Sequence, residues 1–359
     1  MKRFFSVLLL CAWATVMNAQ QIWYVTPTAS PVPGCGSSWS NPSPLQFAVQ
    51  NAAPGDEIWV KEGTYYGPLV VNVNLTIRGG FAGTESQLQD RSQLSTMDVN
   101  TFFSNQFSIL DAQHSGSAVT VNCDRFVMDR FTLTNGYDNF GGGLFMLHHR
   151  YLHLKDMQVY ADTAYKEGGG LYIDQVDSVR IENIVVYDNW AGSRGGGIDF
   201  VQCDSMLLLI NALVAKNHSD SLGGGLVFEN TAAKVINSTV VDNTAKIDGF
   251  IMSLSWGFPT FYNCILFEYY LINPPLVNAV NMLAIPNYAN INNSNYTGYD
   301  NTIFNDFLNN DYRLQNNPSN PCKNSGRWHS NFPFYTITTD LDHNLRPNGQ
   351  VDIGAYELQ

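Results

Sequence analysis

The chain is poor in charge and poorest in positive charge: 19 Lys and Arg stand against 31 Asp and Glu, and the four types together make up 14% of its 359 residues. A net charge of −12 excludes a polyanion-binding surface, so nucleic acid is not an expected partner. Long apolar runs are missing beyond the first 20 residues, which excludes a membrane-spanning helix there. No segment keeps a 3.6-residue stripe, and glycine triplets fall where helices would have to run, so helical repeats are excluded. What is present, 45% hydrophobic and 13% aromatic residues, suffices for a large core and excludes disorder.

Lys2 and Arg3 precede an apolar run from Phe4 to Val16 that ends near the small Ala19, the order of a secretory signal peptide. Export to the periplasm, the cell surface or the medium is expected, with a mature chain of 17 basic and 31 acidic residues. A lipoprotein reading through Cys11 is disfavoured by Leu10, where a small residue is required. The five later cysteines, Cys35, Cys123, Cys203, Cys264 and Cys322, are odd in number and do not suggest a disulfide framework.

Gly141-Gly142-Gly143-Leu144, Gly168-Gly169-Gly170-Leu171, Gly195-Gly196-Gly197-Ile198 and Gly223-Gly224-Gly225-Leu226 recur at intervals of 27, 27 and 28 residues, the signature of a solenoid. Ser115 to Ala118 and Gly249 mark weaker copies on either side, giving six turns. A second column runs through Asp129, Asp156, Asn183, Asn211, Asn237 and Asn263. Apolar residues flank it at positions five apart, which face one core only if the chain turns a corner there; side chains stacked at such corners form a ladder. A third column, Asn135, Asp162, Asn189, Asn217 and Asn243, marks the next turn. After each glycine triplet apolar and polar residues alternate, as in Leu171 and Ile173 against Tyr172 and Asp174. Three short strands and three turns in about 27 residues describe one rung of a parallel β-helix, an all-β solenoid with strands about 4.8 Å apart. In that register Cys123 and Cys203 lie three rungs apart, too far to bridge, so free thiols are expected.

These glycine-triplet repeats resemble right-handed parallel β-helix proteins of the pectate-lyase-like type. The flanks, Pro54-Gly55-Asp56-Glu57-Ile58-Trp59-Val60 and Gly79-Gly80-Phe81-Ala82-Gly83-Thr84-Glu85, look like the opening coils of secreted bacterial β-helix proteins. Asp311-Tyr312-Arg313-Leu314, Asn320-Pro321-Cys322 and Asp352-Ile353-Gly354-Ala355-Tyr356-Glu357 resemble the terminus of choice-of-anchor Q domain proteins. That resemblance implies the architecture and surface export, and no shared catalytic residues. A single domain is expected: signal peptide 1–19, N-terminal cap and first coils 20–114 with an insertion near 82–106, regular repeats 115–270, and irregular closing coils 271–359.

The side chains pointing outward after the triplets form two columns, Val119, Phe145, Tyr172, Asp199, Val227, Ser253 and Val121, Leu147, Asp174, Val201, Glu229, Ser255. Asp174, Asp199 and Glu229 are the candidate catalytic acids, by strand spacing under about 10 Å apart as in an inverting glycosidase. Phe145, Tyr172, Asp174 and Asp199 are the candidate glycan-binding set. The columns hold no Lys or Arg, as a polysaccharide lyase would need; Arg194 and Lys166 sit on the preceding turns, where Glu167 and Arg194 form a cross-rung ion pair. No convergent polar cluster is expected, so a non-catalytic carbohydrate- or host-binding rod is the preferred function. A polysaccharide lyase or glycoside hydrolase on the same face, and a purely structural envelope component, are the alternatives. His148, His149 and His153 lack partners at metal spacing. Asp340-Leu341-Asp342 starts like a calcium loop but lacks its glycine and closing glutamate, so no metal site is assigned and calcium stays a minor candidate. Asp162-Thr163-Ala164, Asp177-Ser178-Val179, Asp204-Ser205-Met206 and Asp220-Ser221-Leu222 resemble the O-glycosylation sequon of exported Bacteroidetes proteins, or are ordinary turns. A monomer is expected.

Overall fold

In the computed structural model the alternating segments after the glycine triplets are strands: Leu144–Tyr160, Leu171–Tyr187, Ile198–Val201, Leu226–Glu229 and Ile251–Leu254. The structure describes residues 20–94, 106–203, 206–247, 249, 251–254, 259–267, 278–285, 303–326, 338–346 and 351–358. The expected signal segment and the Asp204-Ser205 motif lie outside these. Each of these strands pairs in parallel with its counterpart one rung on, so Leu144, Leu171, Ile198, Leu226 and Ile251 stand in one file, each at most 1% exposed. Burying such a side chain contributes about 1.5–3 kcal/mol, and the file repeats that gain at each rung. Phe200 stacks on Phe228 at 5.4 Å inside the same core. The architecture is a parallel β-helix, as the sequence predicts. Among the described residues no helix is long and apolar enough to cross a membrane.

Each full rung has four strand segments rather than three. The fourth is a short parallel file of Tyr137–Phe140, Thr163–Glu167, Trp190–Ala191, His218–Ser219 and Thr244–Ala245. Two-residue strands carry too little alternation to be visible in sequence. Four left-handed corners separate the segments, and the first residue of each glycine triplet supplies one of them, at φ from +58° to +67°. The other two glycines are required for space. A Cβ on Gly169 would sit 2.3 Å from the Gly196 carbonyl oxygen, and one on Gly170 would meet the Asn189 amide at 3.0 Å.

That amide belongs to the third column, which forms a buried ladder. Asn189 Nδ2 donates to Asn217 Oδ1 (2.9 Å) and to the Val159 carbonyl (3.0 Å), and Asn217 repeats both bonds to Asn243 and Val186. Asp162 begins the ladder: its Oδ1 accepts from Gly136 N–H at 2.7 Å and its own N–H donates to Asn189 Oδ1. The second column is a sparser ladder, in which Asn183 donates to Asp156 (2.8 Å), Asn211 to Asn183 (3.0 Å) and Asn263 to Asn237 (3.2 Å).

Both ladders are shifted by one residue in the first rung. Asp129 pairs in register with Lys155, and the left-handed corner preceding Asp156 is Arg130, so Asp129 is not a ladder member. Likewise Gly136, not Asn135, stands beneath Asp162. The rung from Val119 to Leu144 is 25 residues long and that from Arg125 to Tyr151 is 26, shorter than the 27 assumed from the triplets. A single-residue slip turns a side chain to the other face. Asp129 instead bonds Arg78 and Arg91, each at 2.5 Å.

The helix Leu45–Asn51 lies in the expected N-terminal cap and buries Leu45, Ala48 and Val49. The C-terminal residues pack along the side of the solenoid rather than only closing its end. Phe304, Tyr312, Cys322, Ile353 and Tyr356 cluster with Val185, Leu213, Val241 and Ile265, which point out of the β-helix. Gly354 N–H donates to the Asn263 carbonyl (2.8 Å), and the fully buried Arg346 binds Glu357 (2.8 Å) and Asn211 (3.3 Å). Cys322 thus lies on the flank. Cys35, Cys123, Cys203, Cys264 and Cys322 are all buried free thiols, as expected.

Asp162 tests the ladder. Its Oδ2 has no partner, and burial raises its pKa well above the ordinary value, against the Gly136 bond. The equivalent atom in the next rung is an amide nitrogen donating to Val159, whose register partner is Leu133. A proton on Oδ2 supplies the missing donor, so the native state holds a proton that the unfolded chain loses above about pH 3.9. This acid therefore contributes its stability fully below that pH and loses it as pH rises toward the folded pKa. Asp162→Asn is expected to stabilise the protein by about 1 kcal/mol at pH 8 and by less at pH 4, read by urea denaturation. Equal gains at both pH values would contradict a protonated Asp162.

Candidate functional site

The outward columns meet the sequence expectation in the middle rungs. Phe145, Tyr172, Asp199 and Val227 stand in register, as do Leu147, Asp174, Val201 and Glu229. At the two ends the columns are displaced by one: Thr120 pairs with Phe145, and Met252 and Leu254 pair with Val227 and Glu229. Val119 and Val121 point into the core instead, and Ser253 pairs with Phe228 rather than Val227; Ser255 lies outside the described residues. Shortened end rungs cause this displacement, as they do in the ladders.

The acids are not a solvated row. Asp199 and Glu229 converge on Arg194, which precedes the left-handed Gly195 by one residue. The chain reverses at that glycine so tightly that a Cβ there would lie 2.7 Å from the Asp199 Cβ. Arg194 is thereby returned to the strand five residues on, its Nε 2.9 Å from Asp199 Oδ2. Its Nη2 reaches Glu229 Oε2 at 2.5 Å and Glu167 Oε2 at 3.4 Å. The Glu167 pair is the cross-rung pair read from the sequence; the reach to Asp199 and Glu229 is new, and it overturns the expectation of no convergent polar cluster. The cue available was an arginine placed just before a left-handed corner with an acid five residues later.

Burial corrects two further expectations. Asp199 is 0% exposed and Tyr172 7% exposed, so neither lies open on the face. Burial, together with Glu167 and Glu229, pushes the Asp199 carboxyl up to about 7 against the pull of Arg194. For Arg194 burial works against the charge, but Asp199, Glu167 and Glu229 outweigh it and hold the guanidinium ionised. Asp174 is half-buried; desolvation raises its pKa, opposed by hydrogen bonds from Tyr172, at 3.2 Å, and Gln175 and by nearby His148. Asp174 Oδ1 and Asp199 Oδ1 are both buried without a hydrogen-bond partner.

Three aromatic rings border the acids. Tyr172 and Phe145 lie nearly parallel, 10° apart with centroids at 5.9 Å, and Phe140 leans on Tyr172 at 5.0 Å. Of the first pair only Phe145 keeps appreciable exposure. Lys166 places its ammonium 5.1 Å from the centre of the Phe140 ring. The histidines do not join this site as a set: His149 lies 3.8 Å from Asp124 and His153 3.4 Å from Glu182. Asp340 and Asp342 spend oxygens on the Asn344 and Glu357 N–H groups and on Arg313.

Arg194 neutralises a carboxylate that has no access to water, so removing it leaves a buried uncompensated charge. Arg194→Met is expected to cost about 3–5 kcal/mol at pH 8 and less at pH 5, where Asp199 takes up a proton. The double variant Arg194→Met/Asp199→Asn should recover most of the loss. Urea titrations of the three proteins at both pH values measure this, and no recovery in the double variant would place the stabilisation elsewhere.

No family model matches the chain, and no curated protein matches it. Among solved structures it is similar to the crystal structure of pectate lyase Pel9A, with 15% identity over 96% of this chain and 98% of that one and a TM-score of 0.40. At that distance no residue role passes from one chain to the other.

Proposed function

We propose that the protein is an exported, surface-associated rod that binds carbohydrate on the Asp174 face without cleaving it. Export follows from the signal-peptide pattern and from the resemblance to choice-of-anchor Q domain proteins of secreted bacterial, Bacteroidetes-like type; the rod acts as a monomer, needing no second copy to complete the face. One observation carries the binding reading: the partly exposed Phe145 ring lies parallel to Tyr172, and Asp174, itself partly exposed, stands on the same strand two residues beyond Tyr172. An aromatic ring that covers a sugar face, next to an acceptor for its hydroxyl, is a common way of holding a glycan.

The same geometry speaks against a glycosidase. Acid and base must both reach the scissile bond, yet Asp199 has no surface and Asp199 and Glu229 are held by one guanidinium. Asp174 and Glu229 keep partial exposure, but Glu229 is tied to Arg194.

Residues 20–359 screened against a broad polysaccharide panel, with and without calcium, should be retained by at least one glycan and release neither reducing ends nor unsaturated sugars. Phe145→Ala should weaken retention about tenfold, equivalent to about 1.4 kcal/mol, with unchanged thermal unfolding. Product release would favour the enzyme, and absence of retention would leave an envelope component.

A further inference from the structure

We infer that the short fourth file of strands carries a second, separate carbohydrate site: an aromatic track along the solenoid axis that takes an extended, uncharged polysaccharide. One ring stands on each of five successive rungs, in the order His114, Tyr137, Tyr165, Trp190 and His218. His114 meets Tyr137 edge-on at 6.1 Å, Tyr137 meets Tyr165 at 4.8 Å, and Trp190 and His218 are register partners. Ala164, Ala191 and Ser219 alternate with these residues and are fully buried, so the pleat turns the rings outward. Tyr137 is 37% and Tyr165 53% exposed, His114 is exposed, and Trp190 and His218 are partly so. Gly192 keeps the row continuous. A Cβ there would lie 3.2 Å from Trp190 Cη2, so the indole reaches across the place where the side chain following Tyr165 in the row would stand. With strands about 4.8 Å apart the five rings run about 19 Å, long enough for several sugar units.

The polar groups along the track indicate the ligand. Among the outward residues of these strands none is aliphatic, which disfavours an apolar helix or a lipid as the occupant. The Tyr137 and Tyr165 hydroxyls bond each other, which uses one of their two protons and leaves the other to be donated outward. His218 is fixed at both nitrogens, by Thr244 Oγ1 at 2.7 Å and by Asp220 Oδ1 at 3.2 Å, and Lys246 meets the Asp220 charge at 2.5 Å. The track therefore offers flat apolar surfaces, hydroxyl-type partners at their edges and a charge already balanced. A pyranose, with a C–H face, a rim of hydroxyls and no charge, complements all three.

The Phe145→Ala protein, in which the Asp174 face is disabled, isolates the track. Calorimetric titration with cellohexaose, xylohexaose and mannohexaose should show binding of at least one, about tenfold tighter than the disaccharide of the same series. Adding Tyr165→Ala should weaken that hexaose about tenfold with unchanged thermal unfolding, since this ring is more than half exposed. Trp190→Phe should keep the affinity within about threefold but lose the shift in tryptophan fluorescence that accompanies binding. Binding of none of the three hexaoses, equal affinity for the disaccharide, or an unweakened Tyr165→Ala variant would each overturn the track. If the native chain binds a glycan that the Phe145→Ala protein does not, the track fails and the Asp174 face stands. A concentration-dependent dimer in sedimentation velocity that Tyr165→Ala dissociates would assign the rings to a second copy of the chain and overturn the track as well.

Discussion

The structure depends on one repeated hydrogen bond, the buried asparagine amide that joins each rung to its neighbours. Asn189, Asn217 and Asn243 turn corners at which backbone groups would otherwise lie unpaired; each amide satisfies a carbonyl of the preceding rung, and those of Asn189 and Asn217 also bond the side chain of the following one. Unpaired polar groups at these buried corners would each cost about 1–3 kcal/mol, so the ladder pins the register of every strand beside it. It also dictates the glycines. In the triplets Gly168–Gly170 and Gly195–Gly197 the third residue packs against a ladder amide and the second against the next rung's carbonyl, so two columns that look unrelated in sequence answer to one close approach.

From that register the candidate site follows. The left-handed first glycine brings Arg194 back over its own rung, and rung stacking then places Glu167 on one side and Glu229 on the other. In a chain with so few cations, a single arginine serving three acids concentrates negative charge around Asp174 instead of dispersing it. The C-terminal residues complete the other side. Tyr312, Ile353 and Tyr356 cover the apolar flank of Val185, Leu213 and Ile265, which would otherwise be an exposed hydrophobic sheet face.

Most of the fold was legible because a solenoid writes its geometry as a period. The glycine triplets, the two Asn/Asp columns and the alternation after each triplet gave the parallel β-helix, the corners and the inward file. The errors arose where the period does not hold: Asp129, Asn135, Val119 and Ser253 were each misplaced by one residue because the end rungs are shorter. Tyr172, Asp174, Asp199 and Glu229 were brought to one face correctly, since register alone decides that. The burial of Asp199 and the partner it shares with Glu229 were not legible, because both depend on how a long arginine side chain folds back across a corner, which has no periodic signature. The flank packing of Phe304, Tyr312, Cys322, Ile353 and Tyr356 was hidden for the same reason: it is a contact with strands far away in sequence.

The most direct test of the account is a crystal structure of the protein bound to an oligosaccharide of a glycan retained in the polysaccharide panel. The account predicts a sugar ring against Phe145, a hydroxyl beside the exposed part of Asp174, and Arg194 still bridging Asp199, Glu167 and Glu229. A Phe145 face left bare, or Arg194 released from its three acids to hold the ligand, would contradict it.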